Sequence, residues 1–254
     1  MRRACPYCGY HWSWKLADGR YRCRHCRHAY TWRTVWSSIR IPDRLKEQLL
    51  DYFVLGVPAY RLRFRMPLTL TTIERVFRLI RRTLWAQEQL KPAWEKGSFE
   101  CDESSFGGYR PGKRGWGAEG KIIVFGILKR NGEVRATPIT TRQKDTVLSL
   151  IAQYSSPGSL YYTDDWQAYA SLAVRGQHVV VRKERGKPKG RDHINGIEGF
   201  WSYAKHWFYH YRGVPEKFFP DYLAEISFRF NHRDEDLYPL ILLMLQTTHI
   251  DLLA

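Results

Sequence analysis

The 254-residue sequence has no apolar run approaching the roughly 18 residues of a membrane-spanning helix. Its longest, LYPLILLML (237–245), is interrupted by a proline. The start, MRRACPYCG, has two arginines but no apolar stretch after them. No secretory signal and no membrane partner are therefore expected, and the expected location is cytoplasmic and nucleoid-associated. Acidic residues are scarce at first: residues 1–96 carry 7 Asp+Glu against 20 Lys+Arg, whereas residues 97–254 carry 18 against 21. With 44% hydrophobic and 15% aromatic residues, wholesale disorder is excluded. The net charge of +16, concentrated in the first third, is the footprint of a polyanion-binding chain. Nucleic acid suits it better than acidic lipid, because the basic residues alternate with small structured motifs and form no single long amphipathic helix.

Four of the five cysteines lie within the first 26 residues, as Cys5-x2-Cys8 and Cys23-x2-Cys26. Each pair places two thiolates on one tight knuckle, and two knuckles make a tetrahedral set of soft ligands that suits zinc. Gly9, directly after the first pair, permits the close turn. Disulfides fit poorly with a basic protein of the cytoplasm. A domain of about 35 residues buries too little apolar surface to fold unaided, so one structural Zn²⁺ is expected to supply the missing free energy. Tyr10, Trp12, Trp14 and Tyr21 alternate with polar residues as in a small ribbon. His11, His25 and His28 read as surface residues, because four thiolates already close the site.

Residues 43–90 carry helical periodicity. Leu45, Leu49, Tyr52 and Phe53 share one stripe, and Gly56 and Pro58 break it. A short piece follows from 59 to 65. Thr71-x-x-Glu74 reads as a capping box before Ile73, Val76, Phe77, Ile80 and Leu84. Three helices with a short middle one are helix-turn-helix-like. The opposite face of the last, with Arg75, Arg78, Arg81 and Arg82, is expected to contact DNA.

Two tempting motifs fail. GWGAEG (115–120) matches a dinucleotide fingerprint, but a strand-like run follows where that fold needs a helix. GGYRPGKR (107–114) and GWGAEGKI (115–122) lack the Ser or Thr of a phosphate loop. The region instead reads as a basic loop whose Lys113 and Arg114 face DNA. A second basic loop, KERGKPKGR (183–191), offers Lys187, Lys189 and Arg191 for the same purpose.

From residue 97 onward the pattern is mixed. Strands are expected at 98–102, 122–130, 133–139, 160–164 and 178–183, with helices at 145–154 and 194–208. Pro138 places the third strand near an edge. This order resembles the ribonuclease-H-like fold, in which the first strand lies beside the fourth. Asp102 and Asp164 then approach each other, and Glu198 reaches them from a helix packed across the sheet. Three crowded carboxylates repel unless cations neutralise them, and hard oxygen ligands suit Mg²⁺ or Mn²⁺, two per site.

The strings CDESSFGG (101–108), YTDDWQAY (162–169) and HINGIEGFWSYAK (193–205) resemble the three motifs of DDE transposases. The type is the bacterial insertion-sequence group with an N-terminal zinc ribbon, related to the Merlin elements. The resemblance covers nearly the whole chain, and its third motif is the most specific. It implies that Asp102, Asp164 and Glu198 are the catalytic metal ligands, with Glu103 a supporting acid and His193 and Asn195 beside the site. Asp165 stands where the family often has glycine; the Thr-Asp-x-Trp register selects Asp164. Trp201 is expected in the core, as is Trp166, and Cys101 on the opposite face of its strand from Asp102. The resemblance further implies a partner in double-stranded DNA, both terminal inverted repeats and target, and at least a homodimer on DNA. The expected architecture is thus multi-domain: a zinc ribbon (1–36), a helical DNA-binding segment (37–96), and an α/β ribonuclease-H-like catalytic domain with a mixed five-stranded sheet (97–254). A nuclease of the same fold and a non-catalytic zinc-dependent DNA-binding regulator remain the alternatives.

Overall fold

The computed structural model describes residues 4–107, 121–130, 132–164, 167–181, 192–211 and 213–253. In chain order the strands β1 (Ser13–Lys15), β2 (Tyr21–Cys23) and β3 (Ala29–Tyr30) precede the helices α1 (Val35–Ser38), α2 (Asp43–Val54) and α3 (Leu70–Gln89). Next come β4 (Ser98–Phe106), β5 (Ile122–Lys129), β6 (Glu133–Ile139), α4 (Lys144–Tyr154), β7 (Leu160–Thr163) and β8 (Gln177–Val180). The helices α5 (Asn195–Tyr211), α6 (Phe219–Asn231) and α7 (Leu237–Thr247) complete the chain. Among the described residues no helix is long and apolar enough to cross a membrane.

Two compact units result, Met1–Gln89 with Asp236–Ala254, and Leu90–Glu235. Residues 236–254, read from the sequence as the end of the third segment, therefore group with the first unit. The physical reason is the apolar run 237–245. It forms α7, which packs on α1, α2 and α3 and buries Ile241 and Leu245 there. The segment after it is tied in by the Val35 N–H donating to the Thr248 carbonyl at 3.0 Å.

In the first unit, β1, β2 and β3 form an antiparallel ribbon. Helix α2 ends at Gly56, whose φ of +71° costs glycine nothing because it has no Cβ. A 3₁₀ turn, Ala59–Phe64, leads to α3. The cap of α3 differs from the expected box. Thr69 Oγ1 accepts from the Thr72 N–H at 3.3 Å, which places Thr71 and Glu74 inside the helix.

In the second unit the sheet order is β6-β5-β4-β7-β8. β4, β5 and β6 form an antiparallel meander, while β7 and β8 run parallel to β4. The first strand does lie beside the fourth, and β6 with Pro138 is an edge. Phe99, Cys101, Phe125, Ile127 and Tyr161 pack with Val147 and Ile151 of α4 on one face. Phe106, Val124, Leu128 and Tyr162 pack with Ile197, Phe200 and Trp201 of α5 and Leu223 and Ile226 of α6 on the other. Odd and even positions of β4 divide between these faces, as a pleated strand requires.

The seat of α5 on the sheet depends on Gly126. A Cβ there would lie 2.6 Å from the Trp201 ring and 3.0 Å from Ile197. Gly126→Ala is therefore expected to destabilise the second unit by about 1–3 kcal/mol through overpacking. Urea unfolding checks this: an unchanged midpoint would show that α5 yields without cost.

Candidate functional site

The four cysteines converge. Their Sγ atoms all lie within 4.8 Å of one another, with Cys5 and Cys26 at 3.6 Å and Cys8 and Cys23 at 3.5 Å, and none forms a disulfide. A tetrahedral Zn²⁺ with bonds of about 2.3 Å needs sulfurs about 3.8 Å apart. The set is thus compatible with a structural zinc. The knuckles close through Gly9 at φ +72° and Arg27 at φ +63°, the residues directly after each second cysteine. The thiols share protons unequally. Burial raises the Cys23 thiol, but backbone N–H groups of Cys26 and His25 and the adjacent thiols outweigh it and bring it down to about 6. For Cys26, a backbone bond at His28 lowers the value, while burial and the other three thiols push it up to about 12.

The carboxylates gather around β4 and β7. The parallel register pairs Cys101 with Thr163, so the next residues along, Asp102 and Asp164, are lateral neighbours. Asp102 faces α5, where Trp201 Nε1 donates to its Oδ2 at 3.0 Å. The indole reaches it because the residue paired with Asp102 on β5 is Gly126. Asp164 has a buried Oδ1 that accepts no hydrogen bond among the described residues. Burial, then the charges of Glu103 and Asp164, raise Asp102 to about 7. An unsatisfied buried carboxylate oxygen beside an acid that resists ionisation is a site short of positive charge, which fits a hard divalent cation. Glu198 lies half-buried in the first turn of α5. The three carboxylates do not all lie within 4.8 Å of one another; among the described residues the cysteines alone form such a group.

Two supporting networks flank this pair. On the α5 face, Glu100 is 1% exposed. It accepts from Arg130 Nε and from the Ile197 N–H, each at 3.0 Å. Its carboxylate therefore caps the start of α5 from a different element and meets the positive end of the helix dipole. Gly196 makes room, because a Cβ there would sit 2.9 Å from Glu100 Oε2. Arg130 also donates to the His193 carbonyl and stacks 3.5 Å over the Tyr162 ring. The Asn195 N–H meets His193 Nδ1 at 3.4 Å, so these two expected neighbours of the site form the turn that enters α5. On the α4 face, Glu103 accepts from Tyr169 and from Arg142 at 3.0 Å. Burial raises Glu103 above the usual carboxylate range despite both donors.

The basic helix face needs one correction. Arg75 and Arg78 are exposed. Arg81 is buried, its guanidinium over the rings of Phe53 and Phe77 at 5.4 and 5.9 Å. At 100° per residue it lies nearer in angle to Phe77, four residues back, than to Arg78. Arg82 is half-buried and donates to the Leu253 carbonyl at 3.0 Å. Lys113, Arg114, Lys187, Lys189 and Arg191 lie outside the described residues, as do Asp165 and Trp166. Trp201 and Cys101 are buried as expected, and Cys101 packs on the face opposite Asp102.

A family model described as the ISXO2-like transposase domain matches residues 96–231, nearly the whole second unit. The chain belongs to this transposase family. An uncharacterized transposase-like protein of Haemophilus influenzae is 32% identical over 93 residues, which is 36% of this chain and 76% of that protein. Within the transposase domain, sequence reasoning missed Glu100, Arg130, Gly126 and Gly196. Glu100 had one available signal: it shares the period-2 face of Asp102 two residues before it.

The sign of the pH dependence follows from Asp102. Its value, about 7 in the fold against 3.8 for the unperturbed group, means the folded state holds that proton more tightly. The associated stability is fully present below 3.8 and is lost as pH rises to about 7. Metal-free protein is expected to lose stability across that window more steeply than Asp102→Asn. Denaturation at a series of pH values checks this; parallel curves would show that Asp102 is not the group. Chelation is expected to unfold the ribbon and to leave the α/β unit folded, read by circular dichroism and released zinc. A chelated chain with unchanged spectra would deny the metal a structural role.

Proposed function

We propose that the chain is a DNA transposase whose second unit is a ribonuclease-H-like DDE domain. The observation that carries this reading is the adjacency of Asp102 on β4 to Asp164, one residue past the end of the parallel strand β7, in a transposase-family domain; one carboxylate is reluctant to ionise and the other has a buried oxygen with no partner among the described residues. The sheet order supports the ribonuclease-H-like assignment. Asp102, Asp164 and Glu198 would hold two Mg²⁺ or Mn²⁺ ions. When bound, these supply the charge that lets three acids share one site and polarise the attacking and leaving oxygens at phosphorus.

The chain's own residues prepare that site. Trp201 fixes one oxygen of Asp102. Glu100 and Arg130 hold the entry to α5, so Glu198 starts from an anchored first turn. The cysteine ribbon, with one Zn²⁺, and the helical segment bind the terminal repeats, using Arg75 and Arg78 among the exposed cations. Arg82 retains a place beside them; Arg81 supports the helix from within. Lys113, Arg114, Lys187, Lys189 and Arg191, outside the described residues, are proposed to contact the phosphate backbone as well. Hydrolysis frees a 3′-hydroxyl, and a second in-line displacement joins it to target DNA. Two ends must be held together, so the working form is at least a dimer on DNA, acting in the nucleoid.

Purified protein on DNA spanning the gene's flanks, with Mg²⁺ or Mn²⁺ and with chelator, tests this. The expected products are metal-dependent nicks at the element ends and joined strands, reduced about a hundredfold or more in Asp102→Asn and Asp164→Asn. Trp201→Phe is expected to lower the rate while keeping the fold. Nicks without joined strands would make the chain a nuclease. Binding without cleavage, the same in parent and variants, would leave a DNA-binding regulator.

A further inference from the structure

The outer face of the ribbon is built unlike its interior. The β1–β2 register pairs Ser13 with Cys23, Trp14 with Arg22 and Lys15 with Tyr21, and the Arg24 N–H donates to the Trp12 carbonyl at 2.9 Å. Cys5, Cys23 and Tyr30 are buried together with Tyr21, Cys26 and Trp32 against them. Strand alternation then sends Trp12, Trp14, Arg22 and Arg24 to the opposite face. Trp12 stays 47% exposed and Trp14 39%. Guanidinium groups brace both rings. Arg24 lies 6.0 Å from the Trp12 ring and 5.3 Å from the Trp14 ring, and Arg27 lies 5.0 Å from Trp14. Residues 1–36 carry eight Lys+Arg and a single acid, Asp18.

Two tryptophans with backbones about 6.8 Å apart along extended chain, interleaved with cations, match one chemistry. A stacked duplex shows phosphates and groove edges, and its base faces are covered. Unpaired bases expose flat π faces that stack on indole, while their phosphates meet the neighbouring guanidiniums. Resting on the DNA-binding half of the proposed function, we infer that the Trp12–Trp14 face is a stacking platform for the unpaired bases of single-stranded DNA. It is a binding surface distinct from the exposed arginines of α3. Such a segment arises when an element end is nicked and its strands separate.

The test uses the full-length, zinc-loaded chain with a labelled oligothymidylate and a duplex of matched length. Trp12→Ala and Trp14→Ala are each expected to weaken the single strand by about tenfold, while Trp12→Phe stays near the parent. Duplex affinity is expected to change by less than about twofold. Binding of the oligothymidylate to the parent should also quench tryptophan emission, a readout that needs no variant to fold. Bound zinc in each variant reports an intact ribbon. Equal losses on single strand and duplex, no binding of oligothymidylate by the parent, or a change in oligomeric state as the sole effect of Trp12→Ala would each overturn the platform. Failure of the transposase reading is separable: a parent that binds oligothymidylate through Trp12 but never cuts element ends keeps the platform and loses the catalytic assignment.

Discussion

An aspartate on β4 and another just past the end of its parallel neighbour β7 place a like-charge repulsion within the second unit. Asp102 and Asp164 are one register step beyond the Cys101–Thr163 pair, so the sheet itself holds them together. Water cannot screen this repulsion well, because Asp102 faces α5 and one oxygen of Asp164 is buried. The Glu103 N–H and the Trp201 indole ease it in part, yet burial and the neighbouring acids still hold Asp102 up to about 7. A cation relieves the repulsion without a proton and makes the same geometry useful for chemistry at phosphorus. The strain in the metal-free site and the proposed reactivity are therefore two aspects of one arrangement.

The surrounding residues serve to keep that arrangement in place. Gly126 leaves a flat patch on which the Trp201 indole lies, and the indole N–H reaches Asp102. Glu100 sits two residues earlier on the same face and takes the Ile197 N–H at the start of α5. One strand thus holds the near acid and anchors the helix that bears Glu198. On the other face, Glu103 accepts from Arg142 and Tyr169, which hold it in place, while its charge still raises Asp102. These contacts explain why glycine stands at both places, Gly126 against the Trp201 indole and Gly196 against the Glu100 carboxylate.

The first unit relies on different physics. Its ribbon is too small for a hydrophobic core, and four converging thiols stand where that core would be. Its helical part gains its apolar partner from the far end of the chain, through α7. The arginines expected on the exposed face of α3 include one that is not exposed, for a related reason. A long side chain at the edge of the apolar stripe, Arg81, stacks on Phe53 and Phe77 and gives up its place at the surface.

Local rules made much of this legible in advance. Cysteine spacing announced the ribbon's ligand set. Alternation and apolar runs announced five strands and their approximate limits, and the break at Gly56 announced the end of α2. The acids at 102 and 164 stood out because each was expected at the end of a strand; β4 in fact runs on to Phe106, so Asp102 lies mid-strand, while Asp164 directly follows β7. Less was legible wherever a residue's partner is distant in sequence. Glu100 meets Ile197 across 97 positions, Trp201 meets Asp102 across 99, and α7 joins a unit that begins more than 200 residues earlier. No periodicity encodes such pairs. The sequence by itself determined which elements form and which side chains stand as candidates for chemistry, since propensity, spacing and charge are local properties. Only the tertiary structure decided which acids meet, what anchors α5 and which arginines remain outside, since those depend on register and packing between segments that share no local pattern.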